Sequence, residues 1–236
     1  MIKTILFDLD GTLLPMDQDI FLNAYLSGLS KKMAPYGYEP RLLNKAIWMG
    51  TGAMVSNDGQ ERNDMVFWKT FSAAYKKDAK QDEAIFEDFY RNEFQIVQNS
   101  CGFDHRAVET VTELRKMGFS LVLATNPLFP AIATRSRVAW AGLNPDDFDL
   151  ITTYENSYHS KPNPDYYTDI LDKLNLKADE CLMVGNDAVE DMIAESIGIH
   201  VFLLTDCLIN KTNKDISRYP QGSFPELLTF IRGLSI

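Results

Sequence analysis

The chain has 236 residues, a formal net charge of −10, and 45% hydrophobic against 24% charged residues, which is the composition of a folded globular protein and not of a disordered one. The acidic balance excludes a nucleic-acid partner, because no basic face is available for a phosphate backbone; a small phosphorylated ligand stays open, since one lysine and one metal ion can make a local positive field. Three separated cysteines, Cys101, Cys181 and Cys207, and three scattered histidines argue against a disulfide framework and against a zinc site.

In chain order, the first element is a short strand at Ile5-Leu6-Phe7. Its apolar run is too brief for a signal peptide or a membrane span and leads straight into acidic residues. The cytoplasm is the expected location, with no membrane and no protein partner predicted. Residues 17–98 then show helical periodicity and no convincing strand, with apolar groups such as Ile20-Phe21-Ala24-Tyr25-Leu29 and Val66-Phe67-Phe71-Ala74. A Gly-rich joint over Gly50–Gly59 is expected in the middle of this insert. Trp48, Met54, Phe67 and Trp68 are candidates for touching a ligand, although aromatic residues at helical spacing usually form core.

Beyond the insert, helix-like stretches at 105–117, 164–174 and 188–197 alternate with apolar runs at 119–124, 150–152, 181–184 and 201–204. Continuous apolar character suits strands covered on both faces, and the alternation predicts a doubly wound α/β fold with a parallel sheet. The expected organisation is an α/β core domain from residues 1–16 and 99–236, with a helical cap domain over 17–98.

Four motifs sit where strands are expected to end, which in an open parallel sheet is where ligands bind. The first, Asp8-Leu9-Asp10-Gly11-Thr12-Leu13, arises by chance about once in a million positions at average composition. Its two carboxylates repel unless a hard cation such as Mg²⁺ neutralises them. The second, Thr125-Asn126, offers a hydroxyl and an amide to a phosphate oxygen, but Thr-Asn-Pro is also an ordinary turn sequence. The third is Lys161, ahead of a Pro-initiated helix; a lone lysine is more often a solvated surface residue. The fourth is Gly185-Asn186-Asp187-Ala188-Val189-Glu190-Asp191. Asp187 and Asp191, four apart at a helix start, share one face, although Asp187 by itself also suits an N-cap.

The four motifs, in this order, resemble the haloacid dehalogenase-like (HAD) superfamily, and the helical insert resembles that family's C1 cap. The resemblance implies an Mg²⁺-dependent phosphatase acting on a small phosphorylated metabolite through an aspartyl-phosphate. It makes Asp8 the nucleophile and a metal ligand, and Asp10 the general acid/base with its carbonyl on the metal. Thr125, with Asn126, binds the phosphoryl group, Lys161 offsets its charge, and Asp187 and Asp191 complete the metal site. The chain departs from the common Gly-Asp of the fourth motif by reading Gly185-Asn186-Asp187, so either Asn186 or Asp187 takes the acid's place; Asp187 is preferred for its spacing to Asp191.

Three other readings remain. A phosphomutase of the same superfamily would return the phosphoryl group to a sugar. A receiver-like signalling protein would carry its acidic pair and its phospho-acceptor on different strands and lack the long insert. A non-catalytic metabolite-binding protein would have lost Asp8, Asp10 or Lys161.

Overall fold

The computed structural model describes residues 1–234; the last two residues of the expected 99–236 segment lie outside them. After β1 (Thr4–Phe7) come four helices, α1 (Gln18–Met33), α2 (Pro40–Val55), α3 (Asn63–Tyr75) and α4 (Glu83–Arg91). The remainder alternates α5 (His105–Lys116), β2 (Ser120–Leu123), α6 (Ala131–Trp140), β3 (Leu150–Ile151), α7 (Asp165–Leu174), β4 (Cys181–Gly185), β5 (His200–Leu204), β6 (Gln221–Gly222) and α8 (Phe224–Leu234). All strands pair in parallel, in the order β3-β2-β1-β4-β5-β6.

The period-2 geometry of a strand explains why these runs are apolar throughout. Ile5 and Phe7 pack with α5, α6 and α8 on one face, and Leu6 packs with Tyr166, Tyr167 and Ile170 of α7 on the other. β6 was not expected from the sequence. Gln221 and Gly222 carry no apolar signal, and the pairing rests on backbone bonds from Leu203 N to Pro220 O (2.9 Å) and from Thr205 N to Gly222 O (3.0 Å).

The helical insert follows the expected pattern with one correction. Gly50 and Gly52 do not form a joint; α2 runs through both to Val55. A Cβ on Gly50 would lie 2.6 Å from the Phe67 ring. The glycine is there so that α2 and α3 can approach closely, and the loop itself spans only residues 56–62. The start of α2 is set by Pro40 in its first turn and by the Glu39 side chain, which accepts from Leu42 N at 2.7 Å.

The two loops at 126–130 and 154–159 seat the insert on the core. Asn63 N donates to Ser157 O and Asp64 N to Tyr154 O, both at 2.9 Å, so the first amides of α3 are satisfied by the core. The fully buried Asn63 side chain donates to Ser160 Oγ at 3.1 Å. Phe129 lies 5.3 Å from the Tyr25 ring, centroid to centroid. Both Glu155 oxygens accept from Ala131 N (2.8 and 3.0 Å), at the N-terminus of α6.

A second correction concerns residues 188–197. The chain makes a turn over 188–191 and a 3₁₀ helix over Met192–Ile197, not an α-helix. Val189 N and Glu190 N donate to Asp187 Oδ1 (2.7 and 2.9 Å), and Ala188 N donates to Ile209 O at 2.9 Å. The bonds to Asp187 are the N-cap expected of it; the departure from α geometry begins at Asp191, whose carboxylate is held by Lys161 and the Asp187 amide.

Candidate active site

β1 delivers Asp8 to the carboxyl edge of the sheet, where its amide donates to Val184 O at 2.9 Å. Asp8 is buried, and its two oxygens have different partners: Oδ1 accepts from Lys161 Nζ at 2.9 Å and Oδ2 lies 3.1 Å from the Thr12 hydroxyl. That hydroxyl is also 3.1 Å from Asn186 Oδ1 and has a single proton for the two acceptors. Asn186 is itself held by a 2.6 Å bond from Nδ2 to Cys207 O.

Lys161 is 1% exposed and bridges two carboxylates, donating to Asp191 Oδ1 at 2.6 Å as well as to Asp8. Burial favours the neutral amine, but Asp191 and Asp8 outweigh it and raise the lysine pKa well above its ordinary value. Burial raises the Asp191 carboxyl, with Lys161 pulling it the other way. Asp191 Oδ2 accepts from Asp187 N at 2.9 Å. A Cβ at position 185 would stand 2.1 Å from that oxygen, so Gly185 is required for Asp191 to lie against the strand end.

Asp10 follows on the turn closed by the bonds Gly11 N to Leu14 O (2.8 Å) and Leu14 N to Leu9 O (2.9 Å). Its Oδ2 pairs with Arg137 Nη1, whereas its Oδ1 is buried without a hydrogen-bond partner. Burial raises the Asp10 carboxyl above the usual range, Arg137 draws it back, and Asp8 raises it further. Arg137 is fully buried on α6; it also donates to Thr134 Oγ1 (3.2 Å) and lies 4.4 Å from the Phe129 ring centroid.

These groups form the floor of a cavity of about 620 Å³, which Asp8, Asp10, Thr125, Asn126, Asn186, Asp187 and Asp191 all line. Lys161 lies beneath it. Thr125 is buried, and its carbonyl accepts from Thr152 Oγ1 (2.7 Å) and Tyr166 OH (2.8 Å). Asn126 Nδ2 donates to Glu190 Oε2 at 3.0 Å, which leaves its buried Oδ1 without a partner. The expected side-by-side arrangement of Asp187 and Asp191 on a helix face is not formed; the pair is joined instead through the Asp187 amide. Asp187 Oδ1 caps the turn, and Asp191 has both oxygens bonded within the protein.

Trp48, Phe67 and Trp68 line the helical side of the cavity. Met54 is wholly buried and does not reach it. Arg137 and Glu190 join the site without having been singled out from the sequence. For Glu190 a signal existed, since it stands four residues after Asn186. For Arg137 the only hint was a charge four residues from Ala133 on the apolar side of its helix.

Among the described residues no group of three His, Cys, Asp or Glu is gathered as a ready metal cage. The donor chemistry nevertheless fits a hard cation. Five carboxylates (Asp8, Asp10, Asp187, Glu190 and Asp191) face only two buried cations, Lys161 and Arg137, and every uncommitted donor is oxygen. No helix among the described residues is long and apolar enough to cross a membrane.

Comparisons with known proteins bear on the family and the fold. The chain is 28% identical over 212 residues to a phosphoglycolate phosphatase of Aliivibrio fischeri, covering 86% of this chain and 84% of that one. A HAD phosphatase structure from Thermococcus onnurineus superposes with a TM-score of 0.61 at 20% identity, covering 98% of this chain and 99% of the other. A 2-haloacid dehalogenase structure from Pseudomonas syringae gives 0.63 at 20% identity, covering 99% and 100%. The fold is therefore shared by enzymes of different chemistry, and fold alone does not choose between them. The family model for haloacid dehalogenase-like hydrolases matches residues 2–194, and the chain belongs to that hydrolase family.

Proposed function

We propose that the protein is an Mg²⁺-dependent phosphatase that hydrolyses a small phosphorylated metabolite through an aspartyl-phosphate on Asp8. The observation that carries this reading is Asp10: a second carboxyl, raised by burial and held by Arg137 on the cavity floor. A dehalogenase needs no acid at this position, whereas departure of an alcohol from phosphorus does.

The residues act as follows. Asp8 attacks phosphorus in line with the ester oxygen, and the P–O bond to the leaving group breaks. Asp10 gives its proton to that oxygen, then takes one from the water that hydrolyses the acyl phosphate, regenerating Asp8 and releasing phosphate. Lys161, fixed by Asp8 and Asp191, offsets the phosphoryl charge. The Thr125 hydroxyl and the Asn126 backbone amide orient the phosphoryl oxygens. Asp8, the Asp10 carbonyl and Asp187 would hold Mg²⁺, which when bound supplies charge neutralisation for two anions brought together. Asp191 serves mainly to orient Lys161.

Residues 17–98 are the cap and residues 1–16 with 99–236 the core in this reading, the cap excluding water during transfer. Phosphate release from benzyl phosphate, with Mg²⁺, with chelator and with Asp8→Asn, tests the assignment. Turnover that survives Asp8→Asn would rule out Asp8 as nucleophile; stoichiometric return of phosphate to a second alcohol, without free phosphate, would favour a mutase.

A further inference from the structure

The helical side of the cavity is wide and aromatic and lacks a free cation. Phe21, Tyr25, Trp48, Phe67, Trp68 and Tyr90 form most of it. Trp48 is 51% exposed although it lines the cavity, so its ring is held at the mouth and not consumed by the core. The charged groups on this side are Glu83, Glu87 and Arg91, and Arg91 is paired with Glu87 at 3.1 Å. Lys211 also reaches the cavity, but from the chain that follows Cys207 and Ile209, which are bonded to Asn186 on the acidic floor.

The floor adds a polar preference of its own. Asn126 Oδ1 is a buried acceptor without a donor, and Trp68 Nε1 is a buried donor without an acceptor. The bond from Nδ2 to the Glu190 carboxylate sets the orientation of the Asn126 amide, so it is the acceptor that remains.

A short phospho-acid fits this enclosure poorly. It fills a small part of about 620 Å³, and the same cavity is lined by the carboxylates of Glu83 and Glu87, with Trp68 Nε1 as a buried unpaired donor on that side. A desolvated anion beside like charge is strongly disfavoured. A flat apolar body gains both burial and ring contacts from the same walls.

We propose that the substrate is a phosphate monoester whose leaving group is bulky and aromatic, carries no carboxylate or second phosphate, and presents a hydrogen-bond donor to Asn126 Oδ1. Compact phospho-acids such as phosphoglycolate are then poor substrates. This rests on the phosphatase reading and names the substrate class of the same site.

Four alkyl phosphates with leaving oxygens of similar reactivity test it: benzyl phosphate, 2-naphthylmethyl phosphate, 4-carboxybenzyl phosphate and phosphoglycolate, each with Mg²⁺. The expected kcat/KM for 2-naphthylmethyl phosphate exceeds that for phosphoglycolate by about a hundredfold, and the carboxylate lowers the benzyl value about tenfold. Joint replacement Glu83→Gln and Glu87→Gln narrows the carboxylate penalty, and Trp48→Ala narrows the naphthyl advantage through KM. Equal or better turnover of phosphoglycolate, or no carboxylate penalty, overturns the inference while leaving the phosphatase reading intact. Absence of phosphate release from all four overturns that reading and the inference with it.

Discussion

The floor and the roof of the cavity are built on opposite principles. On the floor almost every side chain is committed: Lys161 to Asp8 and Asp191, Thr12 between Asp8 and Asn186, Arg137 to Asp10. On the roof the side chains are aromatic, meet mostly through ring contacts, and in the case of Trp48 remain half in solvent. A floor made of charges must be rigid, because an unpaired buried charge is costly. A roof made of rings tolerates change in shape and so can carry specificity without disturbing the reaction below.

The sharpest way to break this comparison is to remove a committed group. Asp8→Asn is expected to lower turnover by about ten-thousandfold or more, measured as phosphate release under single-turnover conditions, with an unchanged circular dichroism spectrum. Lys161→Met leaves Asp8 and Asp191 facing each other in a buried site. It should cost about 3–5 kcal/mol of stability by urea unfolding in the absence of metal, and a loss under 1 kcal/mol would show that the floor is not under electrostatic tension.

Arg137→Met has a smaller expected effect and a distinctive signature. Arg137 lowers the Asp10 pKa against the rise caused by burial, so its loss should move the carboxyl further up. The acid form then persists to higher pH. Both limbs of the kcat profile are expected to shift upward together, with about a tenfold loss at neutral pH, read from initial rates across the pH range. A profile that falls in height without moving would assign Arg137 to packing alone.

The smallest effect belongs to the roof. Gly50→Ala forces a methyl against Phe67, costing about 1–3 kcal/mol of overpacking, partly offset by the better helix propensity of alanine, about 1 kcal/mol. A net destabilisation of about 1 kcal/mol is expected by thermal or urea unfolding, with KM altered more than kcat. An equal loss in kcat would mean that roof and floor are mechanically joined.

Legibility in the sequence followed the same division. Asp8, Asp10 and Asp187 stand directly after strand signals, and the strand ends of a parallel sheet share one edge; Lys161 follows β3 by ten residues and is marked only by the turn residues around it. Arg137 was silent because its role depends on α6 lying beside the turn after β1, a contact across 127 positions. The Gly50–Gly59 segment was misread as a joint because composition cannot distinguish a flexible glycine from one that admits a neighbouring ring. Residues 188–197 were expected as helix because Asp187 carries an N-cap signal, and spacing does not register that Asp191 is held at the strand end by Lys161 and the Asp187 amide.

By itself the sequence determined a parallel α/β core with a helical insert, since strand burial on both faces demands continuous apolar runs and helix amphipathicity demands its own period. It also determined the presence of two neighbouring carboxylates at a strand end. The tertiary structure alone decided which carboxyl is bound by lysine and which by arginine, that Asp187 caps a turn, and that aromatic rings line the same cavity as the floor carboxylates. Those outcomes rest on long-range contacts, whose energies come from burial and pairing between segments that carry no mark of each other in the chain.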